Sequence, residues 1–390
     1  MSIFENKNVI CLVQTPFQLL GILSLFCMGA KSDAAVCDLV ILDQFPMARE
    51  YADRIERSGF FSAVECIDAS HWSSKHQGHR YLFEALLRPI ANEKRFRSAT
   101  TLFLKNKYDV LVCSSATRIA LEIKRYLLPD GETVFFDDGI GSHNGGVFTS
   151  FGCLDMASFC RLPFGLGIKG VKSITKYCGC LLAGKRGQLN ISRIYLFHPS
   201  AQDYERYGED RVEQLDIDAL RQNLALFDPS FKKSPERTPL KAVYLALPDD
   251  APSFMLDVEK KTIEILKAYE TDLTVRRHPR SQHLCSSIYS NGDDWGGLLW
   301  EALIVGGTVT CNTRLYGMGS SAQIHPKTLF AVEPDVIFLH KLLPEGSVRK
   351  KLDKQYLELL TQYSEKTKVI APENEFELAL YARTMTLDNG

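Results

Sequence analysis

Two segments near the start, Asn8-Val9-Ile10-Cys11-Leu12-Val13 and Asp38-Leu39-Val40-Ile41-Leu42, are apolar almost without a break, and a helix-length stretch separates them. A strand that alternates apolar and polar residues has one dry face. A continuous apolar run has two, as a parallel strand covered by helices on both sides must. The spacing predicts a helix from about Phe17, after Pro16, then helix Met47 to Arg57, strand Ala63 to Ile67, strand Asp109 to Cys113, helix Ile119 to Leu128, and strand Thr133 to Phe136 running into Asp137. Strands alternating with helices specify a doubly wound α/β domain, whose ligands bind beyond the carboxyl ends of its strands.

The pattern restarts at Leu240, with strand Ala242 to Leu247, helix Leu256 to Tyr269, strand Asp272 to Arg276, helix Trp295 to Val305 and strand Lys327 to Val332. The 390 residues suffice for two such domains at about 150 residues each. The expected division is an N-terminal Rossmann-like domain over 1–225, a linker over 226–239 containing Pro229, Pro235 and Pro239, and a C-terminal Rossmann-like domain over 240–390. No internal repeat is evident.

Lys and Arg total 46 against 47 Asp and Glu, so no global field draws the chain to nucleic acid or to an anionic membrane. Eleven cysteines scattered through a chain this long suit a reducing cytoplasm better than a disulfide framework. Cys178 and Cys180 lack the gap and the second pair of a zinc site, so no metal is expected. No apolar stretch has the length of a membrane span, and the N-terminal run is too interrupted for a signal peptide. One local imbalance stands out. From Met156 to Gln202 there are seven basic residues and no acid, interleaved with apolar ones: either a basic amphipathic surface for anionic lipid or a phosphate-bearing substrate, or a solvated insertion in the first domain.

Four strand ends carry chemistry. Asp137-Asp138-Gly139 sets two carboxylates after a buried strand; one can face a ligand while the other anchors the loop, although Asp-Asp-Gly is also ordinary turn chemistry. Arg276-Arg277-His278-Pro279-Arg280 suits phosphate, with bidentate guanidinium donors and an imidazole that titrates near neutrality. The other His-Pro pairs, His198-Pro199 and His325-Pro326, lack arginines and are expected to be structural or at the rim. Gly317-Met318-Gly319-Ser320-Ser321-Ala322 offers amides and hydroxyls to an anion, particularly if Ser321 opens a helix; its alternative is a plain turn. Pro248-Asp249 ends the first strand of the second domain, as a reaching carboxylate or as a turn acid. Neither a Walker loop nor a dinucleotide fingerprint is present.

In order, the Phe-Asp-Asp-Gly element, the Pro-Asp strand end, His-Pro-Arg, the acidic-aromatic helix start at Asp294-Trp295 and the small-residue loop resemble the bacterial sialyltransferases with a GT-B fold, most closely the lipo-oligosaccharide sialyltransferase family, over Gln14 to about Val332. The resemblance implies two Rossmann-like domains facing a deep cleft, and metal-independent, inverting transfer of sialic acid from CMP-sialic acid to a terminal galactoside hydroxyl of a bacterial surface glycan. It implies no cofactor beyond that donor substrate. Asp138 would be the general base, with Asp249 competing for the role, and His278 the general acid on the departing CMP. Arg277, Pro279, Arg280, Gly319, Ser320 and Ser321 would hold the donor, and Gln14, Thr15, Asp137 and Gly139 the acceptor. The glycan would be lipid-linked, with peripheral contact at the anionic inner membrane and no nucleic-acid partner. The longer spacing from Asp249 to His278 leaves the base open. So does the donor, since CMP-Kdo or a nucleotide hexose fits the same fold, as does a non-catalytic nucleotide-sugar or glycan-binding protein.

Overall fold

The computed structural model describes residues 3–26, 34–45, 47–68, 107–114, 119–120, 123–124, 128, 130–137, 191–227, 239–249, 251–278 and 299–387. The chain divides into two compact units, Met1–Asn223 and Leu224–Gly390. Each is a parallel-sheet α/β domain.

Unit 1 carries strands β1 (Asn8–Val13), β2 (Val36–Leu42), β3 (Ala63–Ile67), β4 (Val110–Cys113), β5 (Glu132–Phe136), β6 (Ile191–Leu196) and β7 (Val212–Gln214) in one sheet of order β3-β2-β1-β4-β5-β6-β7. Every pairing is parallel; Val9 stands beside Cys37 on one side and Val110 on the other. Five of the six β1 residues are buried, as their unbroken apolar run requires. Cys11, Cys37 and Cys113 lie in this sheet as buried thiols, and burial pushes the Cys11 thiol well above its ordinary range. Helix α1 (Pro16–Leu25) starts where Pro16 presets its first turn, and it is buried from Gln18 to Leu25. Gln18 and Ser24 keep their polar atoms paired inside it. It is a core helix, and no helix among the described residues is long and apolar enough to cross a membrane. Helix α2 (Ala48–Ser58) follows β2, ending at Gly59 in the left-handed region.

The last strands of this sheet depart from expectation. Residues 191–202, expected as the end of the basic segment, form β6 and the start of helix α3 (Ala201–Tyr207). Ile194 and Leu196 point into the core, while Arg193 stays partly exposed beside Glu213. A reciprocal cap between Ser200 and Asp203 opens α3. Helix α4 (Ile217–Phe227) runs two residues into the expected linker. Residues 156–190 of the basic segment, most of the expected helix over 119–128 and the linker over 228–238 lie outside the described residues.

Unit 2 holds β8 (Ala242–Leu245), β9 (Leu273–Arg276), β10 (Arg314–Gly317), β11 (Asp335–Phe338) and β12 (Val369–Ile370), ordered β12-β11-β10-β8-β9 and parallel throughout. Its helices are α5 (Ser253–Tyr269), α6 (Trp300–Val305), α7 (His325–Phe330), α8 (Ser347–Gln362) and α9 (Glu375–Leu387). The expected strand over Lys327 to Val332 is instead α7: Pro326 presets its first turn, and Ala331, at φ 56°, closes it. The strands on either side are β10 and β11. Inside β10, Arg314 is buried and makes a two-pronged ion pair with Glu270 (2.8 and 2.6 Å), which Tyr316 also joins. A charge in a central strand breaks the apolar run, and the pair makes its burial tolerable.

Candidate functional site

Parallel strands send their carboxyl ends the same way, so in unit 2 the segments leaving β9, β8 and β10 emerge side by side on one sheet edge. Strand order reverses between β8 and β10. That is the topological switch point of the sheet, where open α/β folds take their ligands. Ala246 to Asp249 leaves β8, Arg277-His278 leaves β9, and Met318 to Ser321 leaves β10. Three of the four strand ends singled out by composition thus share one edge.

The β8 exit is held at successive amides. Ala246 N–H donates to the Arg276 carbonyl (2.9 Å), extending the β8–β9 ladder, and Ala251 N–H donates to the Pro248 carbonyl (2.9 Å). Between them, Leu247 N–H donates to Oε1 of Glu259 (2.7 Å), a buried residue of α5. Burial raises the Glu259 carboxyl to about 7, the Leu247 hydrogen bond and the Tyr244 hydroxyl pull against that rise, and the charge of Asp249 adds to it. Asp249 is exposed, while Arg277 and His278 are half-buried.

The β10 exit is built around Gly319. Its φ of 94° lies in the region that favours glycine, and a Cβ would stand 2.6 Å from Leu352 Cδ2. Its amide donates to Oε1 of the buried Gln323 (3.1 Å), whose side-chain nitrogen donates to the carbonyls of Leu315 and Ile337 (3.3 Å each). Gly319 therefore shapes the loop, and its N–H already has an acceptor. Ser320 caps the next turn, its Oγ accepting from Ala322 N–H (3.3 Å). That turn is a 3-10 segment of only three residues, Ser321–Gln323, so Ser321 does not open the longer helix that would add a dipole.

Trp300 ties these exits together. Its indole N–H donates to the Ala322 carbonyl (2.8 Å), and the Arg276 guanidinium lies 5.4 Å from its ring centroid. The neighbouring Glu301 pairs with His325 Nδ1 (2.8 Å), both buried, which gives that His-Pro pair the structural place expected of it; His198 is exposed just past β6. Trp300, Glu301, Gln323 and Glu259 were not singled out by sequence reasoning. Glu259 left a signal: it falls among Met255, Thr262, Ile263 and Leu266, on the buried stripe of its helix.

In unit 1, Gln14 and Thr15 leave β1, Ser114 leaves β4 and Asp137 leaves β5, again along one edge and around the β1/β4 switch point. The Gln14 amide donates to Gln18 Oε1 (2.7 Å), and Thr15 Oγ1 caps α1 by accepting from Gln18 N–H (3.2 Å). Asp137 is 2 % exposed and accepts from Phe197 N–H (3.1 Å), so it is the carboxylate that anchors the loop. Beside it, α1 approaches β5 at Gly21, where a Cβ would meet Phe136 at 2.9 Å. Asp138, Gly139, Pro279, Arg280, Asp294 and Trp295 lie outside the described residues. Among the described residues no cluster of His, Cys, Asp and Glu has the geometry to hold a metal ion.

No protein-family model matches the chain. No curated protein matches it either. Solved structures do: the calicheamicin glycosyltransferase CalG4 (10 % identity, 99 % of this chain and 100 % of that one, TM-score 0.45), a UDP-GlcNAc 2-epimerase from Methanocaldococcus jannaschii (13 %, 98 % and 93 %, 0.45) and the glycosyltransferase SnogD from Streptomyces nogalater (10 %, 98 % and 96 %, 0.43). All three TM-scores are below 0.5, and the fold assignment stands on the two strand orders.

Proposed function

We propose that the protein is a glycosyltransferase of GT-B type that takes a nucleotide-sugar donor at the switch-point edge of unit 2, with CMP-sialic acid as donor and a terminal galactoside of a bacterial surface glycan as acceptor. The observation that carries the reading is the shared edge: phosphate-binding chemistry from β9 and hydroxyls from β10 flank a carboxylate from β8 at the point where a doubly wound sheet binds ligands.

In this reading the acceptor oxygen bonds to the anomeric carbon with inversion as the carbon–oxygen bond to the CMP phosphate breaks. His278 donates a proton to the departing phosphate, with Arg277, Ser320 and Ser321 neutralising its oxygens, so the step requires no metal. A carboxylate takes the acceptor proton. Asp138 and Asp249 are the two candidates, and the inward, anchored placement of Asp137 removes the neighbour of Asp138 from that role. Gln14 and Thr15, at the β1 exit, would meet the acceptor. Lipid-linked acceptors would bring the protein to the inner membrane surface through the basic segment around Lys169 to Arg186.

The test is a release assay across CMP-sialic acid, CMP-Kdo and UDP-hexoses with galactoside acceptors, run on wild type and His278→Ala. CMP release from CMP-sialic acid, reduced roughly a hundredfold or more in a folded His278→Ala variant, is expected. Turnover of a UDP-sugar alone would reject the sialic acid assignment. Tight CMP binding without turnover on any acceptor would favour a binding protein.

A further inference from the structure

The switch-point edge contains a buried carboxyl for which the chemistry above has no use. We propose that Glu259 is the positioning residue of this edge: through the Leu247 amide it sets the Pro248-Asp249 turn, and its protonation state adjusts where Asp249 stands. The functional part of this inference rests on the donor-site reading.

The geometry is local and specific. The β8–β9 ladder ends with the Ala246 amide, and the chain then turns at Pro248, whose carbonyl accepts from Ala251. Leu247 is the single residue between ladder and turn, and its N–H goes neither to a strand nor to the turn but across to Glu259 at 2.7 Å. Helix α5 brings the carboxyl there without help from its own N-terminus, where Pro252 stands at the cap position with no side-chain cap. Hence the turn and the helix are joined by Glu259, ten residues along the chain from the carboxylate whose position it governs.

Glu259 is also poised to change charge. Its surroundings favour the neutral form by burial, and its carboxyl titrates at about 7, where the ordinary value is 4.5. Among the described residues, the groups that face it are Tyr244 from β8, whose hydroxyl favours its ionised form, and Asp249 from the turn, whose charge opposes its ionisation. From α9, which packs along α5, the buried Leu378 and Ala382 carry no charge, and Tyr381 answers instead to Asp335, Arg314 and Glu270. Above neutrality Glu259 is anionic: it grips the Leu247 amide by a charge-assisted bond and repels Asp249 two residues on. Below neutrality both effects weaken. Because Glu259 both holds the Leu247 amide and faces the Asp249 charge, the placement of Asp249 follows the charge on Glu259.

The experiment follows the Leu247 amide by NMR on 15N-leucine-labelled protein between pH 5.5 and 8.5, in wild type, Glu259→Gln, Glu259→Ala and Asp249→Asn. In wild type the Leu247 signal should move with a midpoint near 7. In Glu259→Gln, which keeps an acceptor oxygen but cannot ionise, it should stay fixed over that range. Asp249→Asn should shift the midpoint to lower pH, since removing the facing charge eases ionisation. Glu259→Ala should lose at least tenfold of the hydrogen-exchange protection at Leu247, and Glu259→Gln should retain it. A wild-type signal that does not titrate, or one that titrates equally in Glu259→Gln, overturns the proposal. The second measurement is the pH profile of CMP release: a limb near pH 7 in wild type and absent in Glu259→Gln is expected, and coincident profiles overturn the functional half. If no donor is turned over, the donor-site reading fails, while the Leu247 titration still decides whether Glu259 holds the turn.

Discussion

Single residues bear the conflicts in this fold, and two of them give direct expectations. Glu259 holds a proton in the folded protein up to about pH 7, whereas the unfolded chain releases it near 4.5. The folded state binds more protons across that window, so this group makes stability fall as pH rises from about 4.5 to 7 and level off above, by on the order of 3 kcal/mol. Urea unfolding of wild type against Glu259→Gln across pH 5 to 8 should show that decline in wild type only; parallel curves would contradict it. Gly319 bears a different load, since at its positive φ any Cβ is strained and would also have to displace the Leu352 methyl 2.6 Å away. Gly319→Ala should cost about 2–4 kcal/mol in the same assay, and a loss under about 0.5 kcal/mol would show that the loop can move aside. The sequence displayed Gly319 as part of a small-residue loop, but its partner Gln323 is recognisable only once β10 and β11 lie side by side.

At the scale of elements, legibility followed burial pattern. β1, β2, β4 and β5 could be read because each carries an apolar run, Val9–Val13, Leu39–Leu42, Val110–Cys113 and Val134–Phe136, whereas Glu65 interrupts β3. β10 could not, because Arg314 sits in the middle of its approach and becomes tolerable only through Glu270, 44 positions away. α7 was mistaken for a strand because its apolar residues are too few to show a helical period, although Pro326 in its first turn was the available signal. β6 was hidden by the basic composition around it, since Arg193 stays partly exposed beside Glu213. The same scale holds a test of how the strand exits are joined. Trp300→Phe keeps the ring under Arg276 but removes the N–H that bonds Ala322, and should cost about 1 kcal/mol in unfolding free energy. An unchanged stability would show that the indole bond does not tie α6 to the β10 loop.

For the molecule as a whole, two doubly wound sheets were readable from alternation alone, and the chain divides after Asn223, inside α4. The strand orders were not readable, because order depends on which strands pair across long separations; it is order that makes β8 and β10 neighbours and so puts Asp249 on the edge that also carries His278 and Ser320. The central claim is therefore positional, that this edge of unit 2 receives the nucleotide of a sugar donor. A crystal structure of the protein with CMP tests it most directly. The phosphate is expected within about 3 Å of a His278 ring nitrogen and of the Ser320 or Ser321 hydroxyl. CMP bound along the opposite edge of the sheet, or with its phosphate against other residues, would contradict it.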